Sequence, residues 1–170
     1  MQKISIEKAE EIYNRLCNYN PVKNKAQFRV LVDKQPNIIG ETLFLTEKLV
    51  NIRPGFYYSF VLLDFINECY ESINVKIPII EQDKIGPMVK KWNYIMLKDD
   101  KKLKKLFKKY EEINNKIIQE NIVELLVKYI GVLNPETNVP YYTDDEQGVF
   151  FIFFLAVINL MDNEMLKLVN

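Results

Sequence analysis

The chain has 170 residues, of which 48% are hydrophobic and 12% aromatic, and its 23 basic side chains balance 23 acidic ones. This length and composition suit one globular domain, and the balanced charge excludes a general attraction to nucleic acid or anionic lipid. The chain contains no histidine, which excludes Ser-His and Cys-His nucleophiles and HExxH zinc sites. We therefore expect a single domain over residues 1–170.

The distribution of charged and apolar residues predicts a cytoplasmic protein. The first twenty residues are rich in charge, whereas a secretory signal has a basic start followed by an apolar core. The longest uncharged apolar stretch, at 149–161, is shorter than the ~20 residues of a membrane span. Two cysteines, Cys17 and Cys69, are too few for a disulfide framework, and we expect both to be buried thiols.

Capping residues and hydrophobic periodicity predict two helices near the start of the chain. Ser5 can cap a helix that ends near residue 16, because apolar residues recur there every three or four positions. Asn20-Pro21 then fits an N-cap and the first position of a second helix. Residues 22–34 alternate in part like a strand, and we assign them to a helix because their neighbours are helical.

Prolines and glycines separate the next elements. We expect a third helix over 38–51 and a fourth over 54–73, which is apolar around most of its circumference and so belongs near the centre of the fold. Residues 75–80 are few and include a proline, which predicts an extended connector or an isolated short strand. Gly86-Pro87 predicts the start of a fifth helix.

The sequence of the C-terminal half predicts which helix forms the core of the fold. A helical pattern covers 100–133, either continuous or broken near Asn114 or Asn121, where the spacing of its apolar residues slips. The last helix begins at a capping box, Thr143-Asp144-Asp145-Glu146, and continues into a run at 149–158 that is apolar on all sides. The sequence thus predicts an all-α, irregular, single-domain bundle of about six to seven helices around an apolar C-terminal core helix.

A cluster of lysines marks the first candidate for partner binding. Residues 98–110 carry seven lysines against two aspartates, whereas residues 111–170 are acidic. A solvated helix face is the favoured interpretation, ahead of an acidic protein partner and then nucleic acid. The chain has only three arginines for bidentate contacts to bases. The candidate contact residues are Lys101, Lys104, Lys105 and Lys108.

A proline-stiffened loop at 134–142 is the second candidate. It ends in Tyr141 and Tyr142, immediately before the acidic cap of the last helix. Packing of both rings over the end of the bundle is the favoured interpretation. The alternative is that both tyrosines are contact anchors for a partner, because a tyrosine ring brings large contact area at low entropic cost.

A polar stripe on the fourth helix is the third candidate. Asp64, Asn67, Glu68 and Glu71 recur at helical spacing on a segment that is otherwise apolar. Two carboxylates one turn apart could hold a hard divalent cation, but no second stripe supplies the further ligands that such a site needs. We therefore expect a solvent-facing edge and no metal.

These patterns together predict a protein that acts by binding. The isolated glycines build no phosphate-binding loop, and no serine lies in a nucleophile motif. We expect a non-enzymatic protein–protein interaction module without cofactor: a small regulator, inhibitor or assembly adaptor, with a composition that fits a phage or other mobile element of a low-GC bacterium. The alternative is nucleic-acid binding through the basic helix at 98–110.

Overall fold

The computed structural model describes residues 2–17, 24–49, 53–96, 102–113 and 117–169. Over these ranges the chain forms eight α-helices and no strand, which confirms the predicted all-α bundle. The helices are α1 (Ile6–Leu16), α2 (Lys25–Lys34), α3 (Pro36–Leu49), α4 (Arg53–Ser72), α5 (Gln82–Met96), α6 (Leu103–Glu112), α7 (Glu120–Ile130) and α8 (Asp144–Val169).

The last helix is the centre of the fold, as its sequence predicts. Every side chain from Phe150 to Ile158 is at most 5% exposed, so α8 is covered on all sides. Helices α5, α6 and α7 pack against it. Among the described residues α8 is the one helix long and apolar enough to cross a membrane, and 72% of its most apolar window is buried within the fold. A core helix of a globular protein has the same length and composition.

A second group of helices surrounds α4. Helices α1, α3 and α7 pack against it, so α7 contacts both α4 and α8 and joins the two groups. The side chains from Phe60 to Ile66 are at most 5% exposed, which confirms the predicted central position of this helix.

The start of α8 has the capping geometry expected from its sequence. The Thr143 N–H donates to Glu146 Oε2 at 2.6 Å, and the Glu146 N–H faces Thr143 Oγ1 at 3.4 Å. This reciprocal pair satisfies two N–H groups that have no partner within the helix. The capping box is therefore confirmed.

Three segments left open by the sequence are resolved as follows. Residues 25–34 form a helix and not a strand, whereas Asn20-Pro21 lies outside the described residues. The pattern over 100–133 is broken, because α6 ends at Glu112 and α7 begins at Glu120. Residues 75–80 form the expected connector without regular secondary structure.

Two expectations are wrong. Helix α5 begins at Gln82, so Pro87 lies inside it and not at its start; the buried side chain of Ile85 fixes the preceding turn in the helix. Cys17 is exposed, because it follows the last turn of α1, and its thiol donates to the Asn14 carbonyl at 3.0 Å. Cys69 is buried as expected.

Buried tyrosines connect α1, α4 and α7. The rings of Tyr13 and Tyr129 stack with their centroids 3.4 Å apart. The Tyr58 hydroxyl donates to the Tyr129 carbonyl at 2.7 Å and lies 2.6 Å from the Tyr13 hydroxyl, which must therefore be the donor in that pair. The buried hydroxyls of Tyr13 and Tyr58 thus both have partners, as burial of a polar group requires.

A buried aspartate connects α8 with α4 and with the segment before α7. Asp162 Oδ1 accepts from the Tyr70 hydroxyl at 2.8 Å, and Oδ2 accepts from the Ile118 N–H at 2.7 Å. The side chain of Gln119 in turn accepts from the Ile4 N–H at 3.0 Å. This network satisfies main-chain groups of two non-helical segments that have no ladder of their own.

The buried position of α8 predicts the effect of truncating its side chains. Phe154 is 0% exposed, so Phe154→Ala should lower the free energy of unfolding by about 3–5 kcal/mol, as large-to-small core substitutions do. Phe44 is 54% exposed on α3, and Phe44→Ala is the matched control, with an expected change below about 0.5 kcal/mol. Urea denaturation followed by circular dichroism measures both. Equal midpoints for the two variants would contradict the central position of α8.

Candidate functional site

The basic helix α6 exposes its lysines and buries its apolar side. Leu106 and Tyr110 face the core, at 1% and 3% exposed, and the amphipathic pattern holds the lysines on the opposite side. Of the predicted contact lysines, Lys101 lies outside the described residues. The other three are exposed: Lys104, Lys105 and Lys108. Exposure alone suits a solvated face, an acidic protein partner and a phosphate backbone equally.

The two loop tyrosines pack over the end of the bundle, which is the favoured interpretation of the sequence. Tyr142 is 1% exposed; its ring stacks on Phe150 with centroids 4.6 Å apart, and its hydroxyl lies 2.7 Å from Ser59 Oγ. The half-buried Tyr141 stacks on Tyr58 at a centroid distance of 4.0 Å. Tyr142 thus offers a partner almost no surface, and the idea that it is a contact anchor is corrected. Tyr141 keeps one part of its ring at the surface.

Tyr141 and Tyr142 end a loop that main-chain hydrogen bonds hold together. Leu133 and Pro140 form an antiparallel bridge, and the Asn134 N–H donates to the Val139 carbonyl at 2.9 Å. The Asn138 N–H closes the turn by donating to the Asn134 carbonyl at 2.8 Å. Asn138 has a φ of 55°, in the left-handed region that asparagine tolerates better than most residues. The loop is therefore fixed by its own hydrogen bonds.

The loop carries apolar side chains that are exposed. Leu133 is 48% exposed and Val139 is 51% exposed, and Pro140 is exposed across the bridge from Leu133. Residues directly opposite in an antiparallel bridge project to the same face, and their neighbours project to the other face. The loop thus presents apolar surface on both faces. We call Leu133, Val139 and Pro140 the loop patch. No hydrophobic periodicity in the sequence marks it, because these residues lie outside any helix or strand.

The polar stripe on α4 is a solvent-facing edge only towards its end, where Glu71 is exposed, and not at its start, as the sequence led us to expect. Asp64 is only 5% exposed and accepts from Gln27 Nε2 at 2.9 Å. The other two carboxylates pair with cations from neighbouring helices: Glu68 with Arg15 of α1, and Glu71 with Lys34 of α2. Helices α1 and α2 therefore cover the start of the stripe at Asp64, whereas Glu71 at its end stays exposed. Across the described residues, no three histidine, cysteine, aspartate or glutamate side chains come together to hold a metal ion.

Depressions in the surface of the described residues include a groove and a cleft. A groove of about 680 Å³ lies between α5 and α8, with Met88, Leu160 and Leu166 among its lining residues. A cleft of about 440 Å³ lies where α2, α4 and the connector at 75–79 meet. Asn67 lines this cleft; it is 4% exposed, and its Nδ2 has no hydrogen-bond partner. Neither depression contains a nucleophile paired with a base.

Comparisons with known proteins find no relative of this chain. The chain matches no protein-family model, and no curated protein or solved structure is significantly similar to it.

Burial of Asp64 predicts a specific pH dependence of stability. Desolvation raises its pKa from 3.8 to about 6, although the hydrogen bond from Gln27 opposes the shift. Between about pH 4 and pH 6 the folded chain therefore binds a proton that the unfolded chain releases, so this carboxyl stabilises the fold as the pH falls and loses that contribution as the pH rises through about 6.

The substitution Asp64→Asn isolates this effect, because asparagine can still accept from Gln27 but does not titrate. From pH 7.5 to pH 4.5 the wild-type unfolding free energy should gain roughly 1–3 kcal/mol relative to the variant. Urea denaturation at each pH measures the difference. Parallel pH profiles for the two proteins would contradict the shift.

Proposed function

We propose that this protein is a non-enzymatic module that binds another protein through the loop patch at the end of the bundle. The observation that carries the proposal is a hydrogen-bonded loop that exposes about half of both Leu133 and Val139. Single exposed apolar residues are common on protein surfaces, whereas this short loop exposes three of them, with Leu133 and Pro140 on one face and Val139 on the other. Such a surface fits a small regulator, inhibitor or assembly adaptor, and the composition of the chain fits a phage or other mobile element.

The rigidity of the loop supports this role. Binding costs free energy for each segment that must become ordered, and this loop is already fixed by its bridge and by the turn at Asn138. Stacking of Tyr141 on Tyr58 and the hydrogen bond between Tyr142 and Ser59 anchor it to α4. A partner would therefore gain the apolar contact without ordering the loop. The tyrosines would support the contact surface, and the aliphatic side chains would make most of the contact.

A comparison of variants tests the role of the loop patch. The double variant Leu133→Ser/Val139→Ser removes the apolar surface and leaves the main-chain hydrogen bonds of the loop in place. In affinity capture from cells of the native host, read by mass spectrometry, we expect a partner retained by the wild type to be lost by the double variant. Binding of the isolated partner should weaken by at least about tenfold, the loss of roughly 1.4 kcal/mol.

The control is Phe44→Ser, which removes an aromatic side chain that is 54% exposed on α3. It should retain the partner at wild-type affinity. A partner that binds the double variant as tightly as the wild type would refute the proposal that the loop patch is the contact surface.

Nucleic-acid binding is the second candidate, and the exposed lysines on one side of α6 favour it. We expect little binding of DNA or RNA at ~150 mM salt, because the net charge of the chain is zero and long-range attraction is weak. The variant in which Lys101, Lys104, Lys105 and Lys108 are all changed to Gln provides the test. A wild-type complex of about micromolar affinity or tighter at that salt, lost in this variant, would replace the protein-binding proposal.

A further inference from the structure

The connector between α4 and α5 has the conformation of a strand that lacks a sheet. From Val75 to Glu81 the main chain contains no helix, turn or bend. Pro78 fixes its own φ near −65° and restricts Ile77 to extended conformations, because the α region clashes with the proline ring. Ile77 and Pro78 are therefore held extended by their own sequence.

One edge of the connector is already paired, by a side chain and not by a strand. Gln35 is 1% exposed; its Nε2 donates to the Pro78 carbonyl at 3.0 Å, and its Oε1 accepts from the Ile80 N–H at 3.1 Å. A neighbouring strand uses the same pair of groups, the carbonyl of one residue and the N–H two residues further on. The amide of Gln35 thus imitates one residue of a partner strand.

The opposite edge is unpaired. In an extended chain the main-chain groups of successive residues point to opposite edges, so those of Ile77 and Ile79 point away from the edge that Gln35 occupies. Within the part of the chain that the structure describes, neither residue makes a main-chain hydrogen bond. An exposed extended edge with free donors and acceptors is a template for another extended chain.

Apolar and charged groups beside the connector define the side chains that such a chain would carry. The cleft of about 440 Å³ borders the connector and is flanked by Val30, 49% exposed, and Ile79, 53% exposed. Asp33 and Lys76 also line the cleft, and neither forms an ion pair with another described residue. Lys34 and Glu71, by contrast, pair with each other at 2.7 Å.

We propose that this edge binds an extended peptide segment of a protein partner, which adds as a strand along residues 76–79. One apolar side chain of the peptide enters the cleft between Val30 and Ile79, and a basic and an acidic side chain face Asp33 and Lys76. The main chain supplies affinity, and the cleft and the two charges supply specificity. This site is separate in sequence from the loop patch and does not depend on it.

The test uses two substitutions that differ in one hydrogen-bond donor. Ile79→Val and Ile79→Pro both leave a smaller apolar side chain, but only proline removes the N–H. The fold should tolerate both, because the Ile79 N–H makes no bond within the described structure, and thermal denaturation checks this. The probe is a fluorescein-labelled peptide, selected on the wild-type chain from a random library of octapeptides, and its affinity is measured by fluorescence anisotropy.

We expect Ile79→Val to bind this peptide within about threefold of the wild type, and Ile79→Pro to bind it about five- to tenfold more weakly than Ile79→Val, as the loss of one main-chain hydrogen bond predicts. Hydrogen exchange at the amides of Ile77 and Ile79 should slow by at least about tenfold when the peptide is bound. Equal binding by the two variants, protection confined to other amides, or failure of the library to yield any binder would overturn the proposal.

Two further measurements separate this proposal from other interpretations. The variant Leu133→Ser/Val139→Ser should keep wild-type affinity for the peptide; loss of binding would place the peptide on the loop patch and overturn the assignment to the connector. Sedimentation of the chain alone should show a monomer. A concentration-dependent dimer that Ile79→Pro abolishes would identify a second copy of the chain as the occupant and would overturn the peptide proposal.

Discussion

The fold depends on one constraint: the central part of α8 is apolar on every side and must be covered on every side. A helix with a single apolar stripe needs one neighbour, whereas α8 requires several around its circumference. Helices α5, α6 and α7 supply that cover, and α7 also packs against α4. Helix α4 is itself buried from Phe60 to Ile66, and α1 and α3 pack against it and cover it. The positions of α1, α3, α5, α6 and α7 thus follow from the need to cover two buried helices, α4 and α8.

Buried polar side chains determine how the non-helical segments cross this core. Asp162 accepts from the N–H groups before α7, and Gln35 binds both a carbonyl and an N–H of the connector before α5. A non-helical segment packed against a core would otherwise leave main-chain groups without partners, at a cost of about 1–3 kcal/mol each. These side chains therefore specify where the chain can enter and leave the core, and a hydrophobic residue of similar volume would pack there without fixing the path.

The same distinction explains what the sequence predicted and what it did not. The capping box at Thr143 and the apolar run of α8 are local signals that tertiary contacts reinforce, and both are confirmed. Pro87 suggested that α5 starts near residue 87. The helix instead begins at Gln82, and burial of Ile85 holds the turn before the proline in the helix. For the polar stripe, the sequence showed that Asp64 lay among apolar residues, but the partner on α2 is 37 positions away along the chain. The loop patch and the connector edge lie outside periodic segments and depend on hydrogen bonds that composition does not encode.

The tryptophan of this chain gives the packing of α6 an optical signature. Trp92 is the only tryptophan, it is 2% exposed on α5, and its ring centroid lies 6.2 Å from that of Tyr110 on α6. Its indole Nε1 is buried and has no hydrogen-bond partner in the described structure, so the fold shields the ring from solvent. Separation of α6 from the core would admit water to this indole and shift its emission to longer wavelength. Intrinsic fluorescence therefore follows the docking of the basic helix apart from the rest of the fold, without an added label.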